Sequence, residues 1–371
     1  RTFYNNIELS DANATAKLTW KGISCEPIVA NKVTGNGKTL DAQVAIADPA
    51  NATNVKAGDP GITGSILGSS LGVLTLKASY SFTGTRKGVG INPQTGNAGL
   101  LVNTVENGAL TIDSVTGLEN VAGTPTVSAA AANGCAGGLI GCVNDGASVS
   151  VNNSIDVSAF TVSTSGDNGY AGGFIGKATN LTLTIPDNVS IKPAQKVGSA
   201  STTYAGGAFG FVSFAGEFTV KQSLFDFGDA VIQLGATKRA GGLFGSLDVT
   251  KGDVTVQGGT YKSKLTAGAD NSGADSGARR GSYGGLAGNV YSTVADSMRA
   301  LVVNRNNDNN NSAVTIEIER ASNLCYVGGV VGYLGDNSTK VGNAAAVLNG
   351  VQVACHGSAK PYTGDGKYGG A

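Results

Sequence analysis

Gly68-Ser69-Ser70-Leu71-Gly72 has the G-x-S-x-G spacing that holds a serine nucleophile on a strained strand-to-helix turn, with Ser70 in the nucleophile place. That chemistry needs a helix behind the turn and a histidine to take the serine proton, and His356 is the single histidine of the chain. In a chain this rich in glycine and serine the spacing arises by chance, and no helix is predicted after it. Gly35-Asn36-Gly37-Lys38-Thr39 ends like a phosphate-binding loop, but Lys32 stands where the first glycine belongs. With no following helix to offer its N-terminus to an anion, a hairpin turn is expected there. Asp308 among asparagines could give oxygen ligands to Ca²⁺, but one carboxylate supplies little charge. Glu317 and Glu319 are the one close acidic pair on a predicted strand, and a solvated strand face explains them as well as acid/base work does. We expect no catalytic, cofactor-binding or metal-ligating residue.

The five cysteines (Cys25, Cys135, Cys142, Cys325, Cys355) have no C-x-x-C spacing and are too few for a disulfide scaffold. Cys135 and Cys142 flank a predicted strand, which at ~3.3 Å per residue holds them roughly 20 Å apart. A disulfide needs Cα atoms within about 7 Å, so these two are not expected to pair. Cys325 with Cys355 is the candidate disulfide, with two free thiols as the alternative. Seven Asn-x-Ser/Thr sequons (Asn13, Asn51, Asn152, Asn180, Asn188, Asn310, Asn337) permit a glycosylated exterior.

The elements that must carry these residues follow from composition. Of 371 residues 57 are glycine and only 14 % are charged, against roughly 25 % in an ordinary globular domain. Lys+Arg and Asp+Glu cancel at 26 each, which leaves no electrostatic footprint for nucleic acid or an anionic membrane. Eight prolines exclude collagen, and 41 % hydrophobic residues at zero net charge exclude disorder. Frequent glycine argues against long helices, at about 1 kcal/mol per helical position relative to alanine. No run is apolar enough for a membrane span. The chain opens at Arg1 without a leader and ends as a repeat opens at Gly369, so we expect a processed piece of a longer protein.

The repeat is the strongest signal. Gly-Gly-φ-φ-Gly, with φ apolar, recurs at Gly137-Gly138 with Gly141, Gly172-Gly173 with Gly176, and Gly206-Gly207 with Gly210. It continues at Gly241-Gly242 with Gly245, Gly284-Gly285 with Gly288, and Gly328-Gly329 with Gly332. Degenerate copies begin at Gly64 and Ala98, and spacings run from 34 to 44 residues. A tyrosine stands one or two places before the pair at Tyr170, Tyr204, Tyr283, Tyr326 and Tyr368, an expected aromatic ladder. Between glycine pairs lie three short alternating segments rich in β-branched residues, such as Val254-Thr255-Val256.

Three such strands cannot close a core within ~35 residues, but stacked on like neighbours they can. The expected fold is all-β: a parallel β-helix (β-solenoid) of about eight repeats of 34–44 residues with three short strands each. The ladder favours one coil per repeat, and two coils of ~18–20 residues each remain the alternative. The glycine pair is expected at a coil corner, where positive φ or close backbone approach excludes a Cβ. Residues 1–58 lack the pair and read as a β-rich N-terminal cap or the edge of an upstream domain, with 59–371 the solenoid. Ala267–Gly281 and Asn304–Ser312 are extra length, expected as protruding loops. A flat ice-binding face would need repeated Thr-x-Thr rows, and only Thr182-Leu183-Thr184 fits well.

Gly138-Leu139-Ile140-Gly141, Gly242-Leu243-Phe244-Gly245 and Gly285-Leu286-Ala287-Gly288 resemble the GLUG motif, a glycine-bounded repeat with a Gly-Leu-any-Gly core. Gly173-Phe174, Gly207-Ala208 and Gly329-Val330 replace the leucine. The resemblance covers about residues 60–371 and implies a stalk of a secreted or surface-attached, adhesin-like protein. The expected function is a non-catalytic structural or adhesive rod, extracellular or at the cell surface. Its partners would be copies of itself, surface or matrix proteins, or glycans. The alternative is a polysaccharide-binding or polysaccharide-degrading β-helix enzyme.

Overall fold

The computed structural model describes residues 6–9, 15–22, 30–47, 62–63, 65–83, 89–91, 96–121, 125–235, 238–265, 281–292, 299–305, 313–320, 326–335 and 344–356. It is a right-through stack of parallel strands with no α-helix among these residues. One coil shows the plan. A three-residue corner strand, Cys135–Gly137, bends at Gly138-Leu139 into a first side strand, Ile140–Val143. A turn leads to a second side strand, Ser148–Val151, and a longer path to a third, Thr161–Thr164. The chain then enters the corner strand of the next coil, Gly169–Gly172. To the three segments per repeat read from the sequence, the structure therefore adds a fourth, the Tyr-x-Gly segment itself.

The register settles the coil count. Gly137 pairs with Gly172, Gly172 with Gly206, Gly206 with Gly241, Gly241 with Gly284 and Gly284 with Gly328, all in parallel. Each repeat is thus one coil. The first side sheet holds ten strands among the described residues, from Asn6–Glu8 to Val331–Leu334. Ten rungs at about 4.8 Å make a rod roughly 45 Å long. The first two rungs, built from Asn6–Glu8 with Thr15–Gly22 and from Ala30–Thr34 with Lys38–Ala47, stack in the same ladders as Leu67–Leu71 and Val73–Thr83.

Alternation within each strand sends one side chain in and the next out, and register then builds columns. Val143, Ala178, Val212, Leu247 and Val290 form one interior column, and Ile140, Ile175, Phe209, Phe244 and Ala287 another, all buried. Each large side chain among them contributes about 1.5–3 kcal/mol by leaving water, and its partners above and below come from adjacent rungs. In mid-rod the core is aromatic. Phe209 packs edge-on to Phe174, Phe214 and Phe225 at 5.5–5.9 Å and stacks on Phe244 at 5.8 Å.

One local expectation changes. Gly35 to Thr39 is a turn, with Asn36 and Gly37 at positive φ and Lys38 N–H donating to Gly35 O at 2.9 Å, but it is not a hairpin. Its flanking strands pair in different sheets, so the turn carries the chain round a corner of the coil. The second side sheet is also broken once: Thr182–Thr184 pairs with Ser148–Ser150 on one side, whereas Phe218–Lys221 pairs only with Val254–Gln257.

Candidate functional site: the glycine corner and its outer seam

The corner is where sequence and backbone constrain each other most. Among the described residues none of its glycines has positive φ, so close approach, not backbone handedness, demands them. A Cβ on Gly137 would strike Ile140 O of its own turn, and one on Gly138 would strike Gly173 O of the next rung. One on Gly141 would come within 3.0 Å of Ala98 N and O in the preceding rung. The same three conflicts recur at Gly172, Gly173 and Gly176, and at Gly206, Gly207 and Gly210. Meanwhile the ladder continues round the bend. Leu139 N–H donates to Phe174 O at 3.0 Å, Phe174 N–H to Ala208 O at 2.9 Å and Ala208 N–H to Leu243 O at 3.0 Å. Backbone hydrogen bonding is thus satisfied through the bend, which only glycine can enter.

The sharp bend brings the outward side chains of the corner strand and first side strand face to face, seven residues apart. Asn97 Nδ2 donates to Thr104 Oγ1 at 3.0 Å, and Asn289, oriented so that its Oδ1 accepts from Arg239 Nε at 3.2 Å, donates from Nδ2 to Ser282 Oγ at 2.7 Å. The Lys177 ammonium lies 4.8 Å from the Tyr170 ring centroid, and Tyr204 meets Phe211 edge-on at 6.4 Å. Cys135 and Cys142 occupy the same positions one rung before Tyr170 and Lys177. Their side chains therefore face each other across the same bend, Cys135 buried and Cys142 half-buried. The expectation that these cysteines lie far apart is therefore overturned, because the segment between them is a fold-back at Gly138 rather than one extended strand.

Tyr170 and Tyr204 stack at 5.0 Å with rings 4° from parallel, as the ladder requires. Arg239 takes the next position, its guanidinium 5.0 Å above the Tyr204 ring and donating from Nη1 to Tyr204 Oη at 2.6 Å. Burial, with the neighbouring Tyr204 hydroxyl, pushes the Tyr170 phenol up to about 12. Tyr283 is a correction: it pairs with Ala240, points inward, and donates to Ser263 Oγ at 2.7 Å inside the core. Being one place before its glycine pair, rather than two, puts it on the opposite face of the strand. Tyr326 is in the outer register position by its pairing with Ser282, with its side chain outside the described set, as is all of Tyr368.

The remaining candidates disperse. Ser70 is buried in an interior column between Val33 and Val105, on a strand with no helix after it. Glu317 and Glu319 lie on the outer face of the third side sheet, where Lys262 and Lys264 of the previous rung pair with them at 3.7 and 2.5 Å. Among the described residues no three His, Cys, Asp or Glu side chains gather as a metal site. Asn188 is an exposed turn residue, while Asn152 donates to Asp113 at 3.1 Å and half-buried Asn180 to Asp145 at 2.5 Å. Asn13, Asn51, Asn310, Asn337, Cys325, the Cys355 and His356 side chains, Asp308 and nearly all of the two long loops lie outside the described residues. A cleft of about 110 Å³ opens at the sheet break, floored by Leu183, Val189 and Leu224 and crossed by the Lys221–Asp187 ion pair at 2.5 Å.

One ordered array had no clear sequence signal. Thr15, Thr39, Thr75, Thr111, Ser150 and Thr184 align in register as a column of hydroxyl residues on the second side sheet. Its members lie 24 to 39 residues apart, so only the coil geometry reveals it. The flanking column is Val73, Ala109, Ser148 and Thr182, which breaks the regular Thr-x-Thr face expected for ice. Comparison of the chain with protein-family models, curated proteins and solved structures returned no match.

Proposed function

We propose that this chain is a non-catalytic structural or adhesive segment, a stiff rod that displays loops at an extracellular or cell-surface location. The observation that carries the reading is the unbroken one-rung-per-repeat register of the glycine corner. A continuous ladder on several sides resists bending, and its low charge suits packing against like surfaces. The GLUG-like motifs agree with a stalk. Among the described residues Glu317, Glu319 and Asp113 are tied to lysines on adjoining rungs and Glu106 to Lys32 two rungs away.

End-on assembly with a second copy is part of this reading. Leu334, Leu348 and Val353 continue the interior columns of Val290, Val303 and Ile316, yet they are 45 %, 46 % and 43 % exposed because no described rung covers them. Open strand edges above an apolar floor are a template for β-augmentation. Particle imaging of the purified chain should show rods, single or joined end to end, and Leu348→Lys with Val353→Lys should abolish joining. A globular particle would overturn the rod, and strictly monomeric rods at high concentration would overturn the end-on assembly. Cleavage of a glycan in a substrate screen, with or without Ca²⁺, would replace the reading with the enzyme alternative.

A further inference from the structure

The corner seam of one rung holds two thiols where its neighbours hold Asn97 with Thr104 and Tyr170 with Lys177. Because the register through Cys135–Tyr170 and Cys142–Lys177 is continuous, the cysteines inherit the face-to-face placement that the neighbouring pairs display. Both thiols are free. They also differ in environment. Cys135 is buried, with Sγ 3.7 Å from the Asn133 carbonyl, whereas Cys142 is half-buried and has its Sγ 3.8 Å from Asn144 Oδ1.

We propose that Cys135 and Cys142 form a reversible disulfide across the glycine corner by exchange with a low-molecular-weight disulfide, Cys142 reacting first and Cys135 resolving. The Cys142 thiolate attacks one sulfur of the small disulfide, whose S–S bond breaks and releases one thiolate. Cys135 then gives up its proton, attacks the Cys142 sulfur of the mixed disulfide and expels the second small thiol. Two protein thiols are oxidised and one small disulfide is reduced to two thiols. The asymmetry fits these roles. The facing Cys135 thiol, helped by the Lys177 ammonium and opposed by burial, holds the Cys142 thiol below its usual range. The facing Cys142 thiol and burial push Cys135 up, which suits a thiol that acts only after its partner is captured. The bond would staple the corner strand to the first side strand within one rung.

The test uses the full chain in glutathione buffers of rising oxidised fraction, quenched by alkylation and read by peptide mass mapping. The expected result is a Cys135–Cys142 linked peptide that accumulates with the oxidised fraction and disappears on adding dithiothreitol. Cys135→Ser should instead leave Cys142 trapped as the glutathione mixed disulfide, and Lys177→Met should slow its capture severalfold at neutral pH. Full alkylation of both thiols in the wild-type chain at the most oxidising ratio would overturn the proposal, as would a persistent mixed disulfide that never resolves.

Discussion

At the scale of single residues, the corner glycines divide by what surrounds them, and that difference can be measured. Gly173 has Gly207 O and Ala194 O where a Cβ would stand, both backbone atoms that cannot swing away. Gly173→Ala should therefore lower stability by roughly 2–4 kcal/mol in chemical denaturation, since the rungs must part to admit the methyl group. Gly216 meets nothing within 4 Å and has ordinary φ, so Gly216→Ala should be neutral or gain about 0.4–1 kcal/mol through the unfolded chain. Equal losses at both sites would show that glycine content, not close approach, is what matters. Phe209→Ala removes a ring that touches four other phenylalanines from three adjoining rungs, and a loss of about 3–5 kcal/mol is expected. The Tyr283 position shows how far residue types alone reach. A tyrosine before a glycine pair is legible as a pattern element, but a shift of one residue along a strand exchanges the outer ladder for the core.

At the scale of the strand and rung, the repeat is a unit that can be removed. Gly172 and Gly206 are register partners, so deleting residues 173–206 joins Gly172 to Gly207 with the Gly-Gly step intact. The shortened chain should fold cooperatively, with circular dichroism of the same β type and a lower melting temperature. Removing half that length would bring a second-side strand into the corner register and should leave the chain insoluble or unfolded. If both deletions behave alike, the rung is not the folding unit. The three β-rich segments per repeat were legible because alternation leaves a period-2 trace in the sequence. The corner strand was not, because three residues such as Cys135–Gly137 are too few to show a period. The break beside Phe218 was equally silent. There Phe214 and Phe218 stack at 4.1 Å within one rung, while Lys221 and Asp187 bridge the opening to the previous one.

At the scale of the whole molecule, the rod buries phenols as well as hydrocarbon. Burial pushes the Tyr80 and Tyr261 hydroxyls far up, and burial aided by Asp248 does the same to Tyr291. Tyr170 is raised to about 12. An unfolded tyrosine ionises near 10, so these groups favour the folded state fully below about pH 10 and lose that contribution as pH climbs through the folded values. The melting temperature should hold up to pH ~9 and fall steeply above pH ~10, with tyrosinate absorbance rising in the same step. Tyrosines that all titrate near pH 10 in a still-folded rod would contradict this burial.

What the sequence determined by itself was the architecture: a doublet of glycines recurring every 34 to 44 residues, between segments that alternate, leaves a stacked parallel coil as the way to hide their apolar faces. Recurrence is written along the chain, so it is readable without coordinates. What only the tertiary structure decided was which side chains share a place: the thiols of Cys135 and Cys142, the hydroxyl column from Thr15 to Thr184, the lysine partners of Glu317 and Glu319. Those neighbours depend on the sharpness of one bend and on register across a whole coil. A single residue of slip reverses the facing of every side chain in a strand, and composition and spacing do not encode that choice.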